Sequence, residues 1–485
     1  MKMDIRDGRS LATRRNTGVI ATAMGCVLVF AASVMLRSWN AASRTLWNDE
    51  AFSWAISRGS LRDTIAAIAA DFHPPGYYLM LWGWQQVVGD SVFALRLMSV
   101  VAGSASVVIV SLAARRLCGW RVGLTTAVLL AVHPSHVLWS QIARGYALLY
   151  LFSSLAMLGA TEILVNRGPR RLTWGWVLFV VGSIGAIYTH NVGVVLWGTL
   201  SLALFAWHIQ VRRLGGIRSL LFVTSVVALA YAPWAGRVLA QAARIDKQSA
   251  TSVYVAADWG VLGAGLVESF FSAHLWAVRS AMLGLTAVLA ACAFTVIRKH
   301  RMRLPMALCL LVPPVACVAG YLVVKPVFAY LFLASRWYHL FASVLCAAGL
   351  VCLVERRRWL GMAVGAVFFA LASWSVFNVV NAPRVPWDEL VRSTIDRSPE
   401  AELIAADANA LWAPLYYASR YGREVRLLSD AEPGVGDSSI FLFATGANDP
   451  NVVRFEARAA RFVRKDQKCL GKSCVSEFGP RAPGS

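Results

Sequence analysis

The chain has 485 residues, 58% of them hydrophobic and 15% charged, with a mean hydropathy of +0.56. A soluble domain carries charge on about 25% of its residues; repeated apolar runs of about 20 residues make this a polytopic membrane protein instead. The formal net charge of +21 lies in short clusters between those runs, as the positive-inside rule expects, which excludes nucleic acid as the partner.

In chain order, Met1 to Arg15 is short and basic, and Gly18 to Leu36 is apolar. That run is long and lacks a small-residue cleavage site, so it reads as a retained span, not a signal peptide. Basic groups follow at Arg115-Arg116 with Arg121, Arg167 with Arg170-Arg171, Arg212-Arg213 with Arg218, Arg298-Lys299 with Arg301 and Arg303, and Arg356-Arg357-Arg358. If these and Arg14-Arg15 are all cytoplasmic, each interval between them holds an even number of crossings. The intervals supply 122–139 with 146–164, 173–190 with 191–209, 219–235 with 276–297, and 304–323 with 337–354, and 359–379 leads the chain out.

The first interval holds 18–36, 76–88 and 92–113, and three crossings would misplace Arg115-Arg116. The stretch 76–88 is short, opens after Pro74-Pro75 and carries Tyr and Trp. It is expected to lie at the interface or to pack into the bundle without crossing. The expectation is an all-α bundle of about 11 spans, N-terminus cytoplasmic and C-terminus outside, over residues 1–379 with a first outer loop at 37–91. Residues 380–485 differ in composition. A helix from Trp387 to Ile395, a buried strand at Glu402–Ala406, a helix from Trp412 to Ser419 and a strand at Ile440–Phe443 predict a small outer α/β domain.

The same parity brings polar residues from distant loops to the outer face. Asp49 and Glu50 are adjacent carboxylates at the outer end of the first span. A solvated loop or helix cap explains them plainly. A transferase with inversion needs one carboxylate to take the acceptor's proton, and Asp49 is assigned that base. Glu50, counted with it as catalytic, orients a segment, binds an acceptor group or helps hold a metal. His73 precedes a rigid Pro-Pro break; it donates to a phosphate or ligates a metal with a carboxylate, though the spacing supports no zinc site.

Arg144 with Tyr146, and Lys325 with Arg336 and Tyr338, place cations outside, where cytoplasmic bias does not explain them. They bind lipid phosphates at the surface, or grip the phosphate of a lipid-linked donor. His190 marks either a tight turn between two spans or a member of the site. His133 and His136 flank Pro134-Ser135 and support no metal claim. Most of the nine cysteines lie singly in apolar runs; Cys469 and Cys474 in the polar tail can pair in an oxidising compartment. Among soluble nucleotide motifs, neither a GxGxxG after a strand nor a Gly-Lys-Ser/Thr phosphate loop occurs.

Taken together, Trp47-Asn48-Asp49-Glu50, Phe72-His73-Pro74-Pro75-Gly76-Tyr77-Tyr78, Phe93-Ala94-Leu95-Arg96-Leu97, Ala143-Arg144-Gly145-Tyr146-Ala147-Leu148, Tyr188-Thr189-His190 and Ser335-Arg336 with Tyr338 resemble the bacterial polyprenyl-phosphate-dependent glycosyltransferases of the C-type membrane fold. The branch most similar is that of the protein O-mannosyltransferases and aminoarabinose transferases, over roughly Gly18 to Val354. The resemblance implies a sugar on a polyprenyl phosphate, used with inversion at the outer face of the cytoplasmic membrane. Asp49 then matches the catalytic carboxylate, His73 a donor-phosphate position, and Arg144 and Arg336 the lipid-phosphate path. It implies no cofactor, a divalent metal being unsupported, and leaves the acceptor open among glycolipid, polysaccharide and protein. Against an enzyme stand a lipid-linked sugar transporter or flippase and a non-catalytic envelope polysaccharide assembly protein.

Overall fold

The computed structural model describes residues 5–71, 73–166, 173–249, 276–297, 339–407, 410–429, 439–444, 449–458, 462–470 and 473–480. The apolar runs fold as helices: α1 (Ile5–Ser38), α5 (Val92–Cys118), α6 (Trp120–Ala131), α7 (Pro134–Ser140), α8 (Tyr146–Val165), α9 (Trp174–Thr189), α10 (Gly193–Gln210), α11 (Leu214–Ser249), α12 (Trp276–Ile297), α13 (His339–Arg356) and α14 (Arg358–Asn381). Among the described residues, 7 helices are long and apolar enough to cross a membrane, or 8 when the bent pair α6–α7 is one span. The expected span at 304–323 lies outside the described residues.

The run expected as one span at 122–139 is broken, with α6 and α7 meeting at 60°. Pro134 opens α7 and has no N–H to continue α6. The His133 side chain accepts from the His136 backbone N–H, capping the new helix. Between α5 and α1, the buried Arg37 guanidinium reaches His136 Nδ1 at 2.9 Å, and His136 Nε2 lies 2.9 Å from Ser106 Oγ. A polar network thus sits at the break, where helix backbone groups lack partners.

Small residues let α8 and α9 touch. A Cβ on Gly159 would overlap the Phe179 backbone, and one on Gly182 the Ala156 backbone. Without a hydrophobic driving force in lipid, such close backbone contact holds helices together. Gly182→Val is therefore expected to destabilise the bundle by about 1–3 kcal/mol, read as a lowered melting temperature in detergent; an unchanged one would refute this packing.

One end of the bundle is basic. Arg116 pairs with Glu162 at 2.6 Å and Arg121 with Glu355 at 2.9 Å. At the opposite end, the first loop folds into α2 (Asn48–Ser57), α3 (Leu61–Ala70) and α4 (Gly76–Val88). Ser60 and Asp63 form a capping box that starts α3. With 13 residues, α4 falls short of the roughly 20 that crossing needs; it buries Tyr77, Tyr78 and Leu81 against its neighbours.

Beyond α14 come α15 (Trp387–Arg397), β1 (Glu402–Ala405), α16 (Trp412–Ser419), β2 (Arg426–Leu427), β3 (Ile440–Ala444), α17 (Pro450–Arg458), β4 (Phe462–Leu470) and β5 (Ser473–Pro480). The sheet order is β2-β1-β3-β5-β4, with β1 parallel to both β2 and β3. Strand β3 is buried throughout, as its unbroken apolar run requires. Edge strand β4 is mostly exposed and charged, which is why hydrophobicity alone did not reveal it. Cys469 and Cys474 face each other across β4 and β5 and are disulfide-bonded. The sheet does not stand apart: Trp387, Tyr416, Phe441 and Phe443 share one apolar core with Leu46, Trp54, Tyr78 and Leu95.

Candidate active site

The first turn of α2 gives each residue of Trp47-Asn48-Asp49-Glu50 a different environment, because adjacent helical side chains do not share a face. Glu50 is wholly buried. Arg96 grips it with Nε at 2.8 Å and Nη2 at 2.9 Å, and Arg384 Nη1 donates at 2.6 Å. The backbone N–H groups of Ala143 and Trp47 add bonds of 2.9 Å each. Burial pushes the Glu50 carboxyl up, but Arg96 and Arg384 outweigh it and hold the pKa at about 2. Both oxygens are committed to these partners, so of the roles open to Glu50 the geometry favours orienting the segment. Arg96 itself holds the chain before α2 through the carbonyls of Ala41, Arg44 and Thr45.

Asp49 differs in every respect. It is exposed, and its carboxylate takes no hydrogen bond among the described residues. Its carbonyl accepts from Ser53 Oγ at 3.0 Å and from Arg144 Nη1 at 3.4 Å. Arg144 is buried in the sharp turn between α7 and α8, with Nη1 also 3.4 Å from Ser53 Oγ and Nη2 3.4 Å from His73 Nε2. Behind His73 stands Asp71, whose Oδ2 lies 2.9 Å from His73 Nδ1 and accepts from Tyr78 Oη at 2.8 Å. In this arrangement Nδ1 carries the proton toward Asp71, and Nε2 accepts from Arg144.

His190 caps the end of α9 with its ring 6.1 Å from His73 and 5.8 Å from Tyr146. Burial, then the nearby His73 and Arg144, lower its pKa to about 3. The neutral ring accepts from the Val192 N–H at Nδ1, which leaves Nε2–H as a donor. The close passage of the Gly145 turn helps bring these groups together: a Cβ there would lie 3.3 Å from the Thr189 carbonyl.

Asp49, His73, Arg144, Tyr146 and His190 therefore meet at one end of the bundle. Lys325, Arg336 and Tyr338 lie outside the described residues. The sequence reading gave no role to Asn48, Ser53, Asp71, Arg96 or Arg384. A lone Arg within the apolar run 92–113 was the available signal for Arg96, since an ionisable group there needs a partner. Among the described residues, no group of three or more His, Cys, Asp or Glu is arranged to hold a metal ion.

Residues 72–235 match the family described as dolichyl-phosphate-mannose-protein mannosyltransferase. The match includes His73, Arg144, Tyr146 and His190 and excludes Asp49 and Glu50. No curated protein sequence matches the chain. Among solved structures, apo ArnT from Cupriavidus metallidurans is similar at a TM-score of 0.57 and 13% identity, over 94% of this chain and 98% of that one. ArnT bound to undecaprenyl phosphate gives a TM-score of 0.56 and 14% identity over the same shares. The Archaeoglobus fulgidus oligosaccharyltransferase in complex with Zn and sulfate gives 0.54 and 14%, over 83% of this chain and 62% of that one. The chain thus has the C-type membrane fold of the glycosyltransferases and, over residues 72–235, the sequence pattern of the mannosyltransferase family.

Proposed function

We propose that the chain transfers one sugar, with inversion, from a polyprenyl-phosphate donor to an envelope glycolipid, polysaccharide or protein. The observation that carries this reading is the exposed Asp49 carboxylate one helical turn from Ser53, beside a buried Arg144 that spans to His73. An acceptor hydroxyl loses its proton to Asp49 as its oxygen bonds to the anomeric carbon. The bond from that carbon to the phosphate oxygen breaks, and its electron pair leaves with the polyprenyl phosphate. Arg144 offsets the charge gathering there, and His73, Tyr146 and His190 line the phosphate. The same reading gives donor-phosphate roles to Lys325, Arg336 and Tyr338, which lie outside the described residues. Glu50 acts as a positioning residue.

Support for the lipid comes from the ArnT structure with undecaprenyl phosphate and from archaeal AglB in complex with an inhibitory peptide and a dolichol-phosphate. The basic clusters at the opposite end support reading the site as facing the outside of the bacterial inner membrane, with the N-terminus cytoplasmic and the C-terminal unit, 380–485, periplasmic. The Cys469–Cys474 disulfide suits that compartment.

The test supplies wild-type membranes with radiolabelled undecaprenyl-phosphate mannose or arabinose and follows transfer of label from the lipid. Label crossing the bilayer still attached to lipid would establish a transporter instead. Arg144→Ala is expected to raise the donor KM by about 10- to 100-fold, the worth of a hydrogen bond to a charged group. An unchanged KM would remove Arg144 from the phosphate site.

A further inference from the structure

We propose that Asn48 and Arg384 are positioning residues through which docking of the C-terminal α/β unit sets the orientation of α2 and, with it, the Asp49 carboxylate. This rests on the reading of Asp49 as proton acceptor.

The capping arrangement is the first support. Helix α16 begins at Trp412, and Leu411 at the capping position before it offers no side-chain cap. The cap comes from Asn48, 364 residues earlier in sequence, whose Oδ1 accepts from Trp412 N at 3.0 Å and from Ala413 N at 3.2 Å. An amide oxygen at that position satisfies backbone donors that would otherwise be orphaned. Asn48 is also the first residue of α2 and the immediate neighbour of Asp49. One residue therefore stands at the start of α2 and, through its side chain, caps the start of α16.

Arg384 makes the second connection. It lies between α14 and α15, and it reaches back to donate to Glu50 Oε2 at 2.6 Å and to the Thr45 carbonyl at 3.0 Å. Its guanidinium sits 4.6 Å over the Trp47 ring. Further fastenings lie on either side: Tyr417 Oη accepts from Leu46 N at 2.9 Å, and Thr45 Oγ1 donates to the Val385 carbonyl at 2.6 Å. Phe52 and Trp412 meet edge to face at 5.1 Å.

Every residue from Thr45 to Asn48 thus bonds or stacks with the C-terminal unit or with the linker leading to it. The Asp49 carboxylate, next in the chain, makes no such bond among the described residues and is exposed. Loss of Arg384 still leaves Glu50 with Arg96 and two backbone donors, so removing it releases α2 from the C-terminal unit without stranding a buried carboxylate.

The experiment uses the full-length protein in nanodiscs, as wild type and as Asn48→Ala, Asn48→Asp, Arg384→Ala and Asp49→Asn. Turnover and donor KM are measured with the undecaprenyl-phosphate sugar that the wild type accepts, alongside amide hydrogen exchange over residues 46–57. Asn48→Ala and Arg384→Ala should each lower turnover on the order of 10- to 100-fold, as a small misplacement of a reacting group does. Their donor KM should stay within about twofold, and exchange over 46–57 should quicken. Asn48→Asp keeps an oxygen that caps α16 and should retain wild-type exchange and most of the turnover. Wild-type turnover in both alanine variants, an equal loss in Asn48→Asp, or a change confined to KM would overturn the proposal. Wild-type turnover in Asp49→Asn would sink the underlying base assignment alone; exchange then decides the coupling, and unchanged protection in both alanine variants would refute it.

Discussion

Asp49→Asn is expected to lower turnover by about 10²- to 10⁴-fold, the usual contribution of a general base, with donor KM nearly unchanged. The amide matches the carboxylate in size and cannot take the proton from the attacking hydroxyl. Because the Asp49 side chain is exposed and holds no hydrogen bond among the described residues, the substitution removes no structural contact. Melting behaviour should therefore match wild type, surface changes of this kind being worth within about 0.5 kcal/mol. A loss felt only in the transition state appears in turnover and not in binding. Turnover equal to wild type would show that this carboxylate is not the base.

The neighbouring residue should behave in the opposite way. Glu50→Ala strands Arg96 and Arg384 in a buried site, and breaking such a pair costs about 3–5 kcal/mol. The melting temperature should fall steeply, with donor turnover lost as the fold is lost. Arg96→Ala should act in the same direction, because it removes the two-pronged grip on Glu50 together with the donors to the Ala41, Arg44 and Thr45 carbonyls, and the double variant should lose less than the two single losses combined.

Acid gives a second check on the same cluster. Folding depresses the Glu50 pKa from 4.5 to about 2. Its stabilisation is complete above the unfolded value and is lost as pH falls through the window between the two. Wild type should thus weaken between pH 4.5 and about 2, whereas Glu50→Gln should lose that part of its acid sensitivity. Equal acid profiles would contradict the clamp.

Much of the bundle was legible because apolar length and basic clusters are local properties. The runs from Ile20 to Ser38, from Val92 to Cys118 and from Arg358 to Asn381 each announce themselves without reference to the rest of the chain. The short helix after Pro74-Pro75 was legible for the same reason. In the tail, the apolar cores of β1 and β3 stood out, but β4 and β5 did not, since an edge hairpin is held by pairing and needs no continuous apolar run. The bend at Pro134 was visible as a proline and not as a broken span, because its effect depends on what satisfies the freed backbone groups.

For the site, the sequence by itself pointed to two carboxylates, a histidine and Arg144 at loop ends of the bundle, and to Lys325 and Arg336 outside the described residues. Only the tertiary structure decided that Glu50 is the buried anchor and Asp49 the exposed group. The two are adjacent and chemically alike, and nothing local separates them. Their difference is made by Arg96, 46 residues away, and Arg384, 334 residues away. Burial and charge pairing act through space, so the role of a carboxylate follows from which distant side chains the fold delivers to it.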